Sequence, residues 1–579
     1  MPNRAVLRAR KATSFSPILL AILGACLTAP GTALAQFAPG ADAATAAREQ
    51  RRQEERINAI RQQQERTTDV RRTAPPPIEP TRLPEETPCF VIDRLTLRGD
   101  TGNDFAWLLK AAAGPLGDDP PQGRCLGGQG INLVLKRLQN SLIAQGYITT
   151  RIAAEPQDLK TGELTLALTP GRIGDIRFAP DTAGGASLWA AIPARSGDLL
   201  NLRDIEQGLE NLRNAPTADA DVKILPAEQP GQSDLAVAYR QAFPLRTTLA
   251  ADDSGTKATG KYQGSLTLAY DNPTSLNDLV YVTLNHDLGG HGGRGTDGAI
   301  LHYAIPFGYW QASATYDRGN NHQTIAGAFQ NYVYSGRNSN AEVKLARLVH
   351  RDGASKTTVA VGAFQRSANN YIDDTEVEVQ HRRTGGWLAT LNHRHFLGAA
   401  MLDASLGYKR GTGAFGSLSA PEEAFGEGTS HYRIATADLT FSTPFTLAGK
   451  RLQYLINWRG QLDRTRLAAP ERFVIGGRYT VRGFDGETIL SAERGWLVRN
   501  EIATAVVPGV EGYLGVDYGE VGGPTADLLI GKRLAGAVVG ARGMFKKLRY
   551  DVFVGTPIHK PSGFVTARAS AGFNLSISF

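Results

Sequence analysis

No apolar run reaches the roughly 20 residues that a membrane-crossing helix needs, and the mean hydropathy is −0.24. A membrane protein built of helices is therefore excluded. Cysteine is scarce, at 3 in 579 residues, so metal-ligand spacing from a second cysteine cluster is absent. Histidine numbers only 10, and neither His-Glu-x-x-His nor Gly-x-Ser-x-Gly occurs, which argues against the common metalloprotease and serine-hydrolase readings. His291 lies in a Gly-rich loop and reads as solvated. No Gly-x-x-x-x-Gly-Lys-Ser/Thr run is present to grip a phosphate, so no nucleotide site is visible. The expectation is of a protein that is no enzyme and holds neither cofactor nor metal. The net charge of +7 invites a nucleic-acid reading. The basic residues, however, are scattered among an Arg-rich amino-terminal segment and polar strand faces, without aromatic clustering, so no nucleic-acid partner is expected.

Glycine is plentiful, at 64 residues, as suits a turn-rich β protein. From Ala569 the chain alternates: Ala571, Phe573, Leu575, Ile577 and Phe579 are apolar, while Gly572, Asn574, Ser576 and Ser578 separate them. A period of two puts the apolar set on one face of a strand. Many such segments precede it. In 262–270, Tyr262, Leu266, Leu268 and Tyr270 oppose Gln263, Ser265 and Thr267; in 452–462, Leu452, Tyr454, Ile456 and Trp458 oppose Gln453, Asn457, Arg459 and Gln461. Residues 244–579 have room for about 16 strands of typical length, with short turns such as 271–278 alternating with longer loops such as 289–298. A transmembrane β-barrel dilutes its apolar residues in this way; a soluble sandwich should not need such long strands with bulky aromatics on one face.

Arg4, Arg8, Arg10 and Lys11, the apolar stretch 18–27 and Ala33-Leu34-Ala35 read as a signal peptide over 1–35, with Gln36 as the mature start. Leu23-Gly24-Ala25-Cys26 is a rival lipoprotein box, which would lipidate Cys26. Removing the signal leaves Cys89 and Cys125, an even pair in an oxidising compartment, where a disulfide is expected rather than two buried thiols. Within 36–70, residues 41–67 are helix-like, rich in Ala, Arg, Glu and Gln, with Ile57 and Ile60 almost the only large apolar residues. Such a helix is either a solvated arm or lies in a wet cavity. A Pro-rich linker over 71–88 follows.

Two small α+β units come next. In 89–170, a strand 90–98, helices 105–113 and 131–145, and strands 147–153 and 163–168 are expected. In 171–243, a strand 173–178, a helix 202–212, and strands 222–225 and 234–239 repeat that pattern.

Gly146-Tyr147-Ile148-Thr149-Thr150-Arg151, Pro156-Gln157-Asp158-Leu159, Leu202-Arg203-Asp204-Ile205 and Val481-Arg482-Gly483-Phe484 resemble motifs of the outer-membrane transporters of two-partner secretion, the TpsB family that exports filamentous haemagglutinins and haemolysins. The resemblance implies a mainly β membrane protein: a barrel of about 16 strands, preceded by two periplasmic α+β POTRA domains and an amino-terminal plug helix. It implies that a loop carrying Val481, Arg482, Gly483 and Phe484 folds back into the lumen, and that Arg482 meets Asp517, in Leu514-Gly515-Val516-Asp517-Tyr518-Gly519, on the wall. It also implies a secreted TpsA-type exoprotein as partner. Tyr147, Thr149, Arg151 and Val222 are the candidate contacts for capturing it by strand addition, with internal packing the alternative for each. Outer-membrane lipids around a monomer are expected, with the POTRA domains in the periplasm of a Gram-negative cell. The barrel-assembly machinery is the expected partner in biogenesis, with Phe579 as the carboxy-terminal barrel signal. The alternative function is a barrel-assembly or membrane-insertion factor of the same superfamily.

Overall fold

A computed structural model describes residues 52–61, 64, 69–71, 82–100, 102–289 and 292–579. The signal segment, Cys26, residues 36–51 and the linker part 72–81 lie outside the described residues. Residues 52–61 form a helix, α1.

The first module is built on β1 (Phe90–Ile92), β2 (Arg94–Arg98), β3 (Arg124–Leu126), β4 (Arg151–Ala154) and β5 (Glu163–Thr169). β1 pairs with β3, while β5 lies between a parallel β2 and an antiparallel β4. Helix α2 (Gly128–Ala144) presents Val134, Leu138 and Leu142 to a core that includes Phe105, Leu108, Leu164 and Leu166. Cys89 and Cys125 form a disulfide across 36 residues. In the chain-entropy account such a loop contributes about 3–4 kcal/mol.

Two expectations need correction here. The linker expected over 71–88 is docked at its far end. Leu83 is buried in the first module's core, its N–H donates to Asp119 at 2.8 Å, and the Glu86 carboxylate accepts the N–H groups of Gly127, Gln129 and Gly130 at the start of α2. Four of a helix's first N–H groups have no internal partner, so a carboxylate there is held firmly despite the flanking prolines. The strand expected from Tyr147 begins only at Arg151. Gly146 turns back with φ +96°, Tyr147 N–H donates to the Leu142 carbonyl at 2.8 Å, and the Tyr147 ring meets Phe105 edge-on at 5.0 Å.

The second module orders β6 (Arg172–Phe178), β8 (Gln232–Gln241) and β7 (Ala218–Pro226), with helices α3 (Leu188–Ala191) and α4 (Leu202–Leu212). Leu202, Ile205, Leu209 and Leu212 of α4 are buried against this sheet. The Asn201 side chain caps α4 by accepting the N–H of Arg203 at 2.9 Å.

Sixteen antiparallel strands then close a barrel. They begin with β9 (Leu245–Asp252), β10 (Gln263–Asp271), β11 (Leu279–Asp287), β12 (Arg294–Phe307), β13 (Trp310–Ala326), β14 (Asn331–Arg351) and β15 (Ser355–Ile372). β16 (Thr375–Glu376) is a short flap on β15, followed by β17 (Arg382–Leu397), β18 (Ala400–Thr412), β19 (Arg433–Leu447) and β20 (Lys450–Asp463). β21 (Phe473–Ile475) and β22 (Leu490–Ala492) pair with each other inside one loop. β23 (Arg494–Val507), β24 (Val510–Gly522), β25 (Arg533–Phe545), β26 (Leu548–His559) and β27 (Ser570–Ser578) complete the circuit, and β27 pairs back with β9.

The alternation read from the sequence sorts the two barrel faces. On β10, Leu268 and Tyr270 point outward and are exposed, whereas Gln263, Thr267 and Asp271 are buried inside. The closing seam is short, with five register pairs between β27 and β9 against eight between β9 and β10. Phe579 and Thr247 extend it by exchanging both backbone hydrogen bonds. The second module abuts the turns at one barrel mouth. Gly308 N–H donates to Ala190 O at 2.8 Å, Thr217 N–H to Asp271 Oδ2 at 2.9 Å, and Asn277 Nδ2 to Ser187 O at 3.0 Å.

Candidate functional site

The connection between β20 and β23 leaves the barrel end opposite the modules and folds back against the inner wall. Its β21–β22 hairpin carries Phe473, Ile475, Leu490 and Ala492 into an apolar cluster with Val481, Phe484, Leu497, Val521 and Leu534. Phe484 meets Phe564 edge-on at 5.7 Å. This small apolar nucleus fixes the loop as a folded unit. At its tip Arg482 lies flat on the wall. Its Nε and Nη2 reach Asp517 Oδ2 and Oδ1 at 2.8 and 2.9 Å, and its backbone N–H donates to Oδ2 at 2.9 Å. Nη1 donates to Glu501 Oε2 at 2.7 Å.

The site continues across the wall. Arg542 bonds the other oxygen of Glu501 at 2.7 Å and lies over the Tyr513 ring, whose hydroxyl donates to Asp551 at 2.8 Å. Arg499 stands 3.8 Å from Asp517. Three guanidinium groups thus face the carboxylates of Asp517, Glu501 and Glu511. The close approach depends on glycine. Gly483 has φ +101°, and a β-carbon there would sit 2.5 Å from Thr556 O. A β-carbon on Gly536 of the wall would sit 1.9 Å from Arg482 O.

Helix α1 lies against the same wall. Arg52 donates to Gly486 O of the loop, Arg56 Nη1 to Gln263 Oε1 at 2.7 Å, and Arg61 Nη2 to Thr315 Oγ1 at 3.0 Å. Glu54 pairs with Arg366 at 2.8 Å, and Gln64 accepts from Arg246 at 3.2 Å. Ile57 and Ile60 pack on Ala269, Leu279, Tyr281 and Ile300. A mostly polar helix is accommodated because the inward face of a barrel is itself polar.

Residues 231–543 match the model of the haemolysin secretion/activation protein family ShlB/FhaC/HecB, residues 90–171 match a ShlB-type POTRA domain and residues 172–226 a POTRA domain. The chain belongs to the ShlB/FhaC/HecB family. It is 38% identical to the outer membrane transporter CdiB-2 of Burkholderia pseudomallei (strain 1026b), over 95% of this chain and 97% of that one. It is 25% identical to the hemolysin transporter protein ShlB of Serratia marcescens, over 82% and 83%. The solved structure of CdiB from Acinetobacter baumannii matches with TM-score 0.80 and 30% identity, covering 94% of this chain and all of that one. This member of the ShlB/FhaC/HecB family is accordingly an outer-membrane transporter of two-partner secretion and no enzyme, with its POTRA domains in the periplasm.

At the periplasmic mouth of this ShlB/FhaC/HecB transporter a second ionic assembly holds the segment that follows α1. Val70 N–H donates to Glu210 of α4 at 2.9 Å, and Val70 O accepts from Arg351 Nη2 at 2.6 Å. Arg351, at the end of β14, also meets Glu210 at 3.0 Å and Glu206 at 3.4 Å. Asp69 bridges Lys356 and Arg394, Arg394 pairs with Asp403, and the Arg71 guanidinium lies 3.5 Å over the Phe396 ring. One strap therefore joins the helix in the lumen, the second POTRA domain and two barrel turns. Beside it lies a cavity of about 270 Å³ lined by Gln207, Asn211 and Thr358, among others.

Nearby, Tyr309 in the β12–β13 turn donates to Asp204 of α4. Burial pushes the Asp204 carboxyl up to about 6, although that hydrogen bond works in the other direction. A raised carboxyl pKa means that the folded, docked state, in which Asp204 is buried, favours the protonated acid. That state therefore gains stability as pH falls through 6, and the gain is complete below the ordinary value near 3.8. Hydrogen-exchange protection of the 307–310 turn, corrected for intrinsic rates, should be severalfold higher at pH 5 than at pH 7.5. It should lose that dependence in Asp204→Asn.

The candidate POTRA contacts are not gathered into one patch. Tyr147 packs against Phe105 and Trp107, and the Thr149 hydroxyl is buried. Arg151 is exposed and donates to Ile148 O at 2.8 Å. Val222 is 2% exposed in the second module's core, so its side chain faces away from any partner. Sequence reasoning missed Glu501, Gly536 and the strap. Glu501 lies 19 residues beyond Arg482, and only the strand register places it and Asp517 on one wall patch. The strap joins positions about 140 and 281 residues apart and leaves no local pattern.

Proposed function

We propose that this transporter recognises one cognate TpsA-type exoprotein in the periplasm through its POTRA domains and passes it, unfolded, through the barrel lumen. Among the described residues, strands β2 and β4 each have a neighbour on one side only, and an extended segment can pair with such an edge. Arg151 is the one candidate contact whose side chain is exposed there. Helix α1 is the resting plug, and the strap at Asp69 and Val70 is what must open for it to leave. The Arg482 cluster holds the returning loop in one position, and folding of the cargo outside biases direction without nucleotide. The transporter works as a monomer, in contact with outer-membrane lipids, after insertion by the barrel-assembly machinery.

The observation that carries this reading is a closed barrel whose lumen is occupied by a mostly polar helix and a returning loop, with two POTRA domains at its mouth. Co-expressing the transporter with a cognate TpsA-type exoprotein should place that protein outside the cell, and omitting the transporter should trap it in the periplasm. Equal export without the transporter would remove the proposal.

A further inference from the structure

On the outward face of the barrel, Arg410 of β18 stands directly opposite Arg433 of β19. Arg464, whose N–H donates to Arg433 O at 3.0 Å, continues the row beyond the end of β20. All three are exposed, and among the described residues none of their guanidinium groups makes an ion pair or a hydrogen bond, although the Arg433 N–H donates to Thr465 Oγ1 at 3.1 Å. Like charges facing each other across strands are unfavourable unless something neutralises them. The contrast with the next residue inward is direct. Lys409 faces the lumen and meets Glu471 at 3.2 Å.

The outward assignment follows from register. Arg410 pairs with Trp387 of β17, which is exposed, and two residues below it Tyr408 faces the same way. Trp387 and Tyr408 form a tilted aromatic pair with centroids 5.4 Å apart. The face continues apolar, with exposed Leu462 level with Tyr408 and exposed Leu406 below it. Aromatic girdles mark the membrane–water boundary of such barrels. One step of two residues along a strand is about 6–7 Å, so the arginines stand at headgroup level. They lie at the barrel end opposite the POTRA domains, in the outer leaflet.

We propose that Arg410, Arg433 and Arg464 form a binding site for the phosphate groups of an outer-leaflet lipid. A guanidinium offers a planar fork that grips phosphate through two hydrogen bonds, which an ammonium cannot reproduce. The apolar face directly beneath provides a seat for acyl chains, and this makes a lipid, rather than free phosphate, the occupant. The inference rests on the barrel lying in the outer membrane.

The test uses the full-length transporter in lipid nanodiscs, with its folded barrel checked by heat-modifiable migration on a gel, so that a misplaced or unfolded barrel is told apart from a lost site. Bisphosphorylated lipid A is the probe, and retained lipid is read by native mass spectrometry. The wild type should bind it at least tenfold more tightly than dephosphorylated lipid A. The triple variant R410Q/R433Q/R464Q should lose that preference, and R410K/R433K/R464K should keep only part of it. Inorganic phosphate should compete only at far higher concentration than the lipid. Equal binding of the two lipids by the wild type, an undiminished preference in the folded Gln variant, or competition by inorganic phosphate at lipid concentrations would each overturn the site.

Discussion

Export of the partner should fall at least tenfold in Arg482→Ala, while the protein still reaches the outer membrane and migrates as a folded barrel. Arg482 makes four hydrogen bonds to two carboxylates whose side chains are 0% and 7% exposed. One of these comes from its backbone and survives truncation; the other three do not. Removing one partner of a buried pair costs about 3–5 kcal/mol when the other charge is left uncompensated; Arg499 and Arg542 still stand beside Asp517 and Glu501, so the cost here falls below that range. Here the cost falls on the position of the loop rather than on the barrel, whose backbone ladder is untouched. Asp517→Ala should be milder, since Glu501 still holds Arg482 Nη1. Quantifying surface-delivered exoprotein alongside barrel migration checks both variants. Normal export in both would end the role assigned to this pair.

Deleting residues 41–67 should raise the resting conductance of the purified channel severalfold in planar bilayers. A barrel of sixteen strands encloses an aqueous passage unless something fills it. Helix α1 is held by bonds from Arg52, Arg56 and Arg61 to loop and wall, by the Glu54–Arg366 pair, by the bond that Gln64 beyond it accepts from Arg246, and by a small apolar contact through Ile57 and Ile60. Contacts of that kind exchange readily with water, so the helix can reside and yet leave. Glu210→Ala with Asp69→Ala, which loosens the strap, should give an intermediate conductance. An unchanged current after the deletion would reject the plug.

The barrel was legible because a period of two is imposed twice: lipid selects one face and the lumen the other, as on β10 and β20. The loop anchor was legible because glycine and arginine at its tip answer steric and charge demands that few other residues meet. Other features were hidden because they are not local. Tyr147 reads as strand by alternation, yet a neighbouring ring claims it. Pro84 and Pro88 read as linker, yet Leu83 between the prolines of this segment finds a core. Val222 belongs to an alternating strand, but alternation alone does not say which face will be covered, and the helix α4 covers this one.

The junction of β9 with β27 unites the two barrel strands most distant in sequence, about 320 residues apart. Contacts so far apart form late, since the intervening chain must first surrender its freedom to bring them together. Until then both rims of the sheet offer bare amide and carbonyl groups to any stranger. Slow self-sealing, and a period of vulnerability that calls for sheltered delivery, are thus written into the strand order itself.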